Sequence, residues 1–286
     1  MVVEYLIENY GVENEEFTWA IAGRDKNKLE RLRSSFKYID SNSNKIPRLV
    51  VDSHDTNSLD KMTSISRLVI STVGPYLKFG EALVESCVKN STHYCDLTGE
   101  VPFIRRSIDS FDIKAKKNNC RIVHSCGFDS VPSDIGVLLL QMDSLKRFNK
   151  PCNEVNLYVR TIRGGISGGT IDSMISIYKY MGSNPDHQKL LKSPFSLNPK
   201  DSLKNNTWQP ILKSVKWDDD IQRWLCPFIM AGFNSRIVMR TNAITDYRYG
   251  IDFKYSEVSS YKKGLSGFLK AVVMFIGLVL IQISLK

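Results

Sequence analysis

The chain has 286 residues, of which 42% are hydrophobic and 24% charged, and it contains six cysteines. That balance excludes a largely disordered chain and a small disulfide-stapled scaffold, and it leaves room for one large domain or two modest ones. Lysine and arginine number 39 against 30 aspartates and glutamates, a formal charge of +9, which favours phosphates, nucleotides or anionic lipid headgroups as partners; the excess forms no basic block or nucleic-acid motif, so nucleic acid is not expected.

Met1 to Tyr10 reads as a helix, and no secretory leader is expected at Met1-Val2-Val3-Glu4. Phe17 to Ala22 (FTWAIA) is a short apolar run stopped by Gly23, a predicted strand. Asp25 to Phe36 is a predicted polar helix with Asp25 as N-cap and with Leu29 and Leu32 facing inward. Arg48 to Val51 is a strand ending at Asp52, and Asn57 to Ser66 a helix. Leu68 to Val73 (LVISTV) is a strand ending at Gly74-Pro75, and Glu81 to Asn90 an apolar-faced helix. His93 to Leu97 and Arg121 to Ser125 are strands flanking a helix, Phe103 to Asn118; Pro132 to Met142 is a helix with proline in its first turn. Short strands rich in valine and isoleucine, alternating with helices, predict an α/β fold: a Rossmann-like, doubly wound parallel sheet.

The texture changes near residue 150. Val155 to Ile162 alternates, as a strand with one exposed face does. Gly164 to Gly169 is glycine-rich and precedes a helix, Ile171 to Met181. Gly182 to Asp220 is polar, with prolines at 185, 194, 199 and 210, and reads as a long surface excursion. Leu265 to Leu285 is an apolar helix whose centre, Ala271 to Ile281, carries no charge; Lys262 and Lys263 precede it and Lys286 follows. A core helix is one reading. Lysines at both ends and an apolar surface all round favour the other, a membrane anchor or interfacial insert. No cysteine pair has CxxC spacing and no histidine pair has HxxxH spacing, so no metal site is expected; Cys87, Cys95, Cys120 and Cys126 lie in apolar or strand-like runs that suit reduced, buried thiols.

Ligands of open α/β sheets bind at the carboxyl ends of the strands. At the first such end, Ala22-Gly23-Arg24 offers a guanidinium that can take the 2′-phosphate of NADP, or can be a solvated loop arginine. Asp52 can accept from an adenine amine or can close a local turn. Gly74 lets backbone approach a ligand closely, Pro75 fixes the chain, and Tyr76 offers a ring and hydroxyl suited to a nicotinamide; a plain strand-to-helix turn is the alternative. Asp96 to Glu100 and Ser125 to Asp134 bring carboxylates and hydroxyls to the same edge. General acid or base work is one use for them. Capping of the next helix by Asp129 or Ser130 is the other. No residue emerges as the catalytic group.

Three segments carry a resemblance: WAIAGRDKNKLERL (19 to 32), STVGPYLKFGEALVESCVKNSTHYCDLTGE (71 to 100) and SCGFDSVPSDIGV (125 to 137). In this order they resemble the saccharopine dehydrogenase-like oxidoreductase family, the animal type in particular. The resemblance implies an NAD(P)-binding Rossmann-like domain over 1–150, a partial α+β substrate and oligomerisation domain over 151–262, and a membrane-associated helix over 265–285. It implies NADP as cofactor, with Arg24 at the adenosine phosphate end, Gly74, Pro75 and Tyr76 on the nicotinamide side, and Asp96, Gly99 and Glu100 at the next strand end. It implies hydride transfer on a small or lipidic substrate at a cytosol-facing membrane, a lipid droplet or an organelle such as the mitochondrion, possession of a homodimer surface, and kinship with bacterial enoyl reductases of lipid biosynthesis. A non-catalytic lipid-surface protein and a lysine-pathway saccharopine enzyme stay open beside it. The family begins with a strand and a GATGxTG-like turn and continues past the apolar segment, so truncation at both ends is expected.

Overall fold

Strand and helix alternate from the start of the chain. The computed structural model describes residues 1–14, 16, 18–162, 168–182, 185–202 and 207–284, without the side chains of 169, 170, 181 and 185–187. Helix α1 (Val2–Tyr10) precedes β1 (Ile21–Gly23), α2 (Lys26–Ser34), a 3-10 turn (Ser41–Lys45), β2 (Arg48–Val50), α3 (Thr56–Ser64) and β3 (Leu68–Ser71). Then follow α4 (Tyr76–Phe79), α5 (Glu81–Lys89), β4 (His93–Asp96), α6 (Val101–Lys117), β5 (Ile122–Val123) and α7 (Val131–Phe148). The rest comprises β6 (Glu154–Val159), α8 (Gly168–Gly182), α9 (Pro185–Lys192), β7 (Lys216–Asp218), β8 (Arg223–Pro227), α10 (Ala231–Ile244), β9 (Lys254–Tyr261) and α11 (Leu265–Ser284). Strands β1 and β2 pair in parallel; β3, β4 and β5 form a second sheet in that order; the third runs β6-β9-β8-β7, parallel at β6–β9 and antiparallel elsewhere. The fold is mixed α/β with parallel pairing, as the alternation of elements predicts.

The chain divides into two compact units. The first comprises Met1–Ile70, Phe79–Tyr94 and Phe111–Ile122; the second comprises Ser71–Lys78, Cys95–Ser110 and Val123–Lys286.

In the first unit, Asp25 caps α2: its Oδ1 accepts the amides of Asn27 and Lys28 at 2.9 and 3.0 Å. Those amides, Lys28's foremost, hold the carboxyl below its usual range. Asp55 caps α3 in the same way, taking the Asn57 amide at 3.0 Å. Leu29 is buried with Ile7, Ile21, Phe36 and Ile46. Leu32 is not buried as expected but 39% exposed. A three-residue step turns Leu32 about 60° from Leu29, to the edge of the buried face, where part of its side chain meets solvent. Strand β1 starts at Ile21 because its ladder partner β2 has only three residues, Ile21 opposing Arg48 and Gly23 opposing Val50. Phe17, where the apolar run begins, is outside the described residues.

In the second unit, α7 runs six residues beyond the expected Met142. Apolar and charged helix formers continue to Phe148. Asn149 then turns left-handed (φ 53°) and its amide closes on the Leu145 carbonyl. Val137 of α7, Val238 and Met239 of α10, Tyr249 and Phe253 of the segment that follows α10, and Tyr255 of β9 make the core here, with Leu138, Val155, Leu157 and Phe195 packed on it. The expected excursion 182–220 contains α9 and β7. The glycine-rich 164–167 lie outside the described residues.

Helix α11 is long and apolar enough to cross a membrane. It packs against β8 and β9, with Gly267 and Ala271 buried and the Phe268 ring 4.8 Å from that of Trp224. Leu265, Leu269, Val273, Met274, Ile276, Leu280 and Ile283 are exposed.

Candidate functional site

Arg24 and Asp52 follow adjacent strand ends of the first unit. Gly23 opposes Val50 in the ladder, and the Val51 amide continues the pairing onto the Gly23 carbonyl at 3.1 Å. Arg24 is exposed and forms no ion pair among the described residues. The Asp52 carboxylate closes a local turn, its Oδ1 taking the His54 amide at 2.9 Å.

The second unit gathers the other six candidates. Gly74 and Gly99 are exposed, whereas Pro75, Tyr76, Asp96 and Glu100 are buried. The Gly74–Pro75 peptide is cis. Tyr76 turns its ring inward, stacked on Phe103 at 5.7 Å, and its hydroxyl donates to the Ser71 carbonyl at 3.1 Å. Burial, with Asp96 nearby, pushes the phenol well above its ordinary range. Tyr76 therefore holds the turn from within.

Glu100 is fully buried. Its Oε1 and Oε2 accept the amides of Tyr76 and Leu77, both at 2.8 Å, and Oε1 also accepts the Ser173 hydroxyl at 2.7 Å. These amides open α4, where a negative charge is favoured. Asp96 is the second hub. Its Oδ1 takes the Thr98 amide at 3.0 Å and the Ser125 amide at 2.9 Å; its Oδ2 meets His124 Nδ1 at 2.7 Å. His124 Nε2 meets the Ser107 hydroxyl at 2.9 Å, and Phe103 covers the ring edge-on at 5.1 Å. Asp96, His124 and Ser107 are thus an aspartate–histidine–serine chain, but all three side chains lie inside the unit. What it does is hold Ser125, which sits left-handed at φ 64° with its hydroxyl on the Thr98 carbonyl at 2.8 Å.

Polar groups thus lie beneath the strand ends, and apolar ones stand out from them. Val73, Leu97 and Phe128 follow β3, β4 and β5, and are 50%, 49% and 89% exposed. Gly127 makes room for Leu97, since a Cβ there would crowd the Leu97 Cβ at 3.2 Å. Gly99 meets no such limit: its nearest neighbour would be Met230 at 4.0 Å.

The capping alternative for Asp129 and Ser130 fails. Ser130 occupies the N-cap position of α7 but makes no side-chain cap bond. Its hydroxyl donates to Asn234 Oδ1 at 2.9 Å, and Asn234 Nδ2 donates to the Asp129 carbonyl (2.8 Å), the Ser133 hydroxyl (3.1 Å) and Glu257 Oε1 (3.2 Å). The motif's serines therefore fasten α7 to α10 and β9. Desolvation pushes the Glu257 carboxyl up. Cys126 corrects a further expectation: it is exposed, because β5 ends at Val123 and leaves it on the following loop. Cys95 is half-buried rather than buried, Cys87 and Cys120 are buried as expected, and Cys226 is buried as well. The groove of about 710 Å³ lined by Arg105, Phe195, Asn198, Trp208 and Ile211 includes none of the strand-end residues.

His124, Ser107, Ser173 and Asn234 carry this architecture without a motif that marks them, whereas Ser125 opens the 125 to 134 segment read from the sequence. The one available signal was position: His124 closes its predicted strand much as Asp96 closes the one before.

Residues 2–123 match the model of the saccharopine dehydrogenase NADP binding domain. The chain is 37% identical over 246 residues to a Mycobacterium tuberculosis protein that carries a provisional trans-acting enoyl reductase name, covering 84% of this chain and 58% of that protein. It is 33% identical over 247 residues to the trans-acting enoyl reductase of Mycobacterium ulcerans (84% and 58%) and 32% identical over 261 residues to that of Mycobacterium bovis (89% and 62%). The chain thus spans about three-fifths of the length of these relatives. By these likenesses the chain is similar to the saccharopine dehydrogenase-like family, residues 2–123 being the part that matches the family's NADP-binding domain.

Proposed function

We propose that this chain is the NADP-binding and substrate-facing part of an oxidoreductase acting on an apolar, lipidic substrate. The observation that carries the reading is the match of residues 2–123 to the NADP-binding domain, together with an exposed Arg24 at the end of β1. An exposed guanidinium beside a glycine suits the 2′-phosphate of NADP. Asp52 has one carboxylate oxygen, Oδ2, beyond the turn bond and can accept from an adenine amine. Gly74 and Gly99 present backbone rather than bulk at the other strand ends. When bound, NADPH supplies a hydride. In the second unit, Glu100 and Asp96 keep the 74–77 and 124–127 turns in place, and Val73, Leu97 and Phe128 offer an apolar surface to a substrate. Relatives named as enoyl reductases support an α,β-unsaturated acyl group as that substrate.

The test is titration of the full chain with NADPH and NADH, followed by fluorescence. Arg24→Ala should weaken NADPH binding about tenfold, roughly 1.4 kcal/mol, and leave NADH unchanged. Equal weakening of both, or no binding of either, overturns the reading.

Membrane association is a second reading, favoured by the exposed apolar residues of α11. Replacing Val273, Ile276 and Leu280 by lysine should release the chain from vesicles in flotation while the Trp224–Phe268 contact keeps the helix docked. Flotation unchanged by the three lysines counts against it.

A further inference from the structure

Two of the six cysteines stand apart. Cys95 is the third residue of β4, and Cys126 follows β5 by three residues. The strands are neighbours in one sheet, and the Cys126 amide donates to the Asp96 carbonyl at 2.7 Å. That bond brings the loop back beside β4, next to Cys95, and the Cys126 thiol donates to the Val123 carbonyl at 3.5 Å. Cys126 is exposed and Cys95 half-buried. Cys87 and Cys120 are also near one another, but both are buried, and Cys120 donates to the Thr92 carbonyl at 2.8 Å. Only the first pair combines neighbouring positions across a strand pair with access from solvent among the described residues.

We propose that Cys95 and Cys126 form a peroxide-reactive dithiol, in which Cys126 attacks the oxidant and Cys95 resolves the product. The thiolate is the nucleophile, and sites that stabilise it are the reactive ones. The neighbouring Cys95 thiol holds the Cys126 thiol below its ordinary range against desolvation and the Asp96 charge, with the Asp96 backbone helping; Cys126 and desolvation hold Cys95 above its own. Exposure divides the pair in the same sense: Cys126 meets solvent, from which an oxidant arrives, and Cys95 is half-buried. In the first step the Cys126 sulfur takes one oxygen from a hydroperoxide as the O–O bond breaks, giving a sulfenic acid and releasing an alkoxide, or hydroxide from hydrogen peroxide, which takes up the proton. In the second the Cys95 sulfur displaces the sulfenic hydroxyl, which leaves as water with the Cys95 proton. Two thiols are oxidised to one disulfide and one peroxide is reduced. The bridge would tie the 124–127 loop covalently to β4, next to the Asp96 bonds that already hold His124 and Ser125.

The reduced full chain is treated with limiting hydrogen peroxide, its free thiols are blocked, and its peptides are mapped by mass spectrometry. A Cys95–Cys126 disulfide is expected, two hydrogens lighter than the reduced form and reversed by dithiothreitol, with Cys87, Cys120 and Cys226 unmodified and the circular dichroism unchanged. Cys95→Ser should stop the reaction at a Cys126 sulfenic acid that dimedone traps. Cys126→Ser should leave Cys95 unmodified, since the attacking thiol is gone. Cys126 should react about tenfold or more faster than Cys226. A disulfide through another cysteine, sulfenic acid persisting at Cys126 in the parent chain, or oxidation of Cys126 no faster than of Cys226 would overturn the proposal.

Discussion

Glu100 reaches Tyr76 through the backbone, its Oε1 accepting the Tyr76 amide at 2.8 Å while the same oxygen takes the Ser173 hydroxyl at 2.7 Å. The carboxylate has no exposed surface, so it offsets its desolvation only through such bonds. Glu100→Gln keeps the shape but turns one acceptor into a donor facing an amide. The expected loss is about 2–3 kcal/mol, since bonds to charged groups exceed neutral ones and a buried donor is left unpaired. Ser173→Ala removes one of the three bonds and should cost about 1 kcal/mol. Urea midpoints at constant slope measure both. A Glu100→Gln variant as stable as the parent would show that the turn stands without the carboxylate.

Asn234 joins three elements, and its loss should be felt in all of them. Asn234→Leu leaves the Ser130 and Ser133 hydroxyls without the amide and removes one donor from Glu257. Several unsatisfied buried groups predict a loss of about 3 kcal/mol or more. Asp129→Ala is the counterpart. Only its backbone carbonyl joins the network, so its side chain should be worth within about 0.5 kcal/mol. Thermal unfolding of the two variants separates this network from helix capping, under which Asp129→Ala would cost as much as a lost cap.

The same network predicts a pH dependence. Desolvation raises the Glu257 carboxyl above its ordinary 4.5, against the lowering effect of Asn234, Ser133 and Tyr255. Desolvation likewise raises Asp134 above 3.8, with Thr241 opposing. Both groups bind protons more tightly folded than unfolded. Their contribution to stability is full below the ordinary values and is lost as pH rises through the folded ones. Glu257→Gln mimics the protonated form: its oxygen still accepts from Asn234 and Ser133, and its amide faces Tyr255. The variant should match the parent near pH 4 and exceed it increasingly toward neutral pH. Urea unfolding across that range checks this; a difference independent of pH excludes Glu257 as the titrating group.

Local chemistry was readable from sequence, and distant chemistry was not. Asp25 announces its helix because a carboxylate three residues before the Lys28 amide is within reach of it whatever the rest of the chain does. The alternation that predicts α/β is local too. Asp96, Gly74 and Glu100 were found because they close strands or open helices. Their partners were not. His124 is 28 residues from Asp96, Ser173 is 73 from Glu100, and Asn234 is 104 from Ser130. Nothing in a serine or an asparagine tells which remote backbone will need it. Tyr76 shows the converse: its type suits a ligand, yet its burial against Phe103 depends on a helix 25 residues further on.

Gly267 decides whether α11 stays on the sheet. A Cβ at this position would run into the Lys262 backbone, its carbonyl oxygen first. Backbone cannot give way as a flexible side chain would, so Gly267→Ala must shift the helix. Ala271, one turn on, is wholly buried, and Phe268 lies on Trp224; both contacts depend on the same approach. Overpacking of a tight site costs about 1–3 kcal/mol. The substitution should therefore change tryptophan fluorescence and open the 262–271 segment to proteolysis in solution. Vesicles make the outcome sharper. If the exposed face of α11 enters a bilayer, an undocked helix has more apolar surface to insert, and Gly267→Ala should bind vesicles at least as well as the parent. If α11 serves only the sheet, the variant should aggregate in solution and gain nothing from lipid.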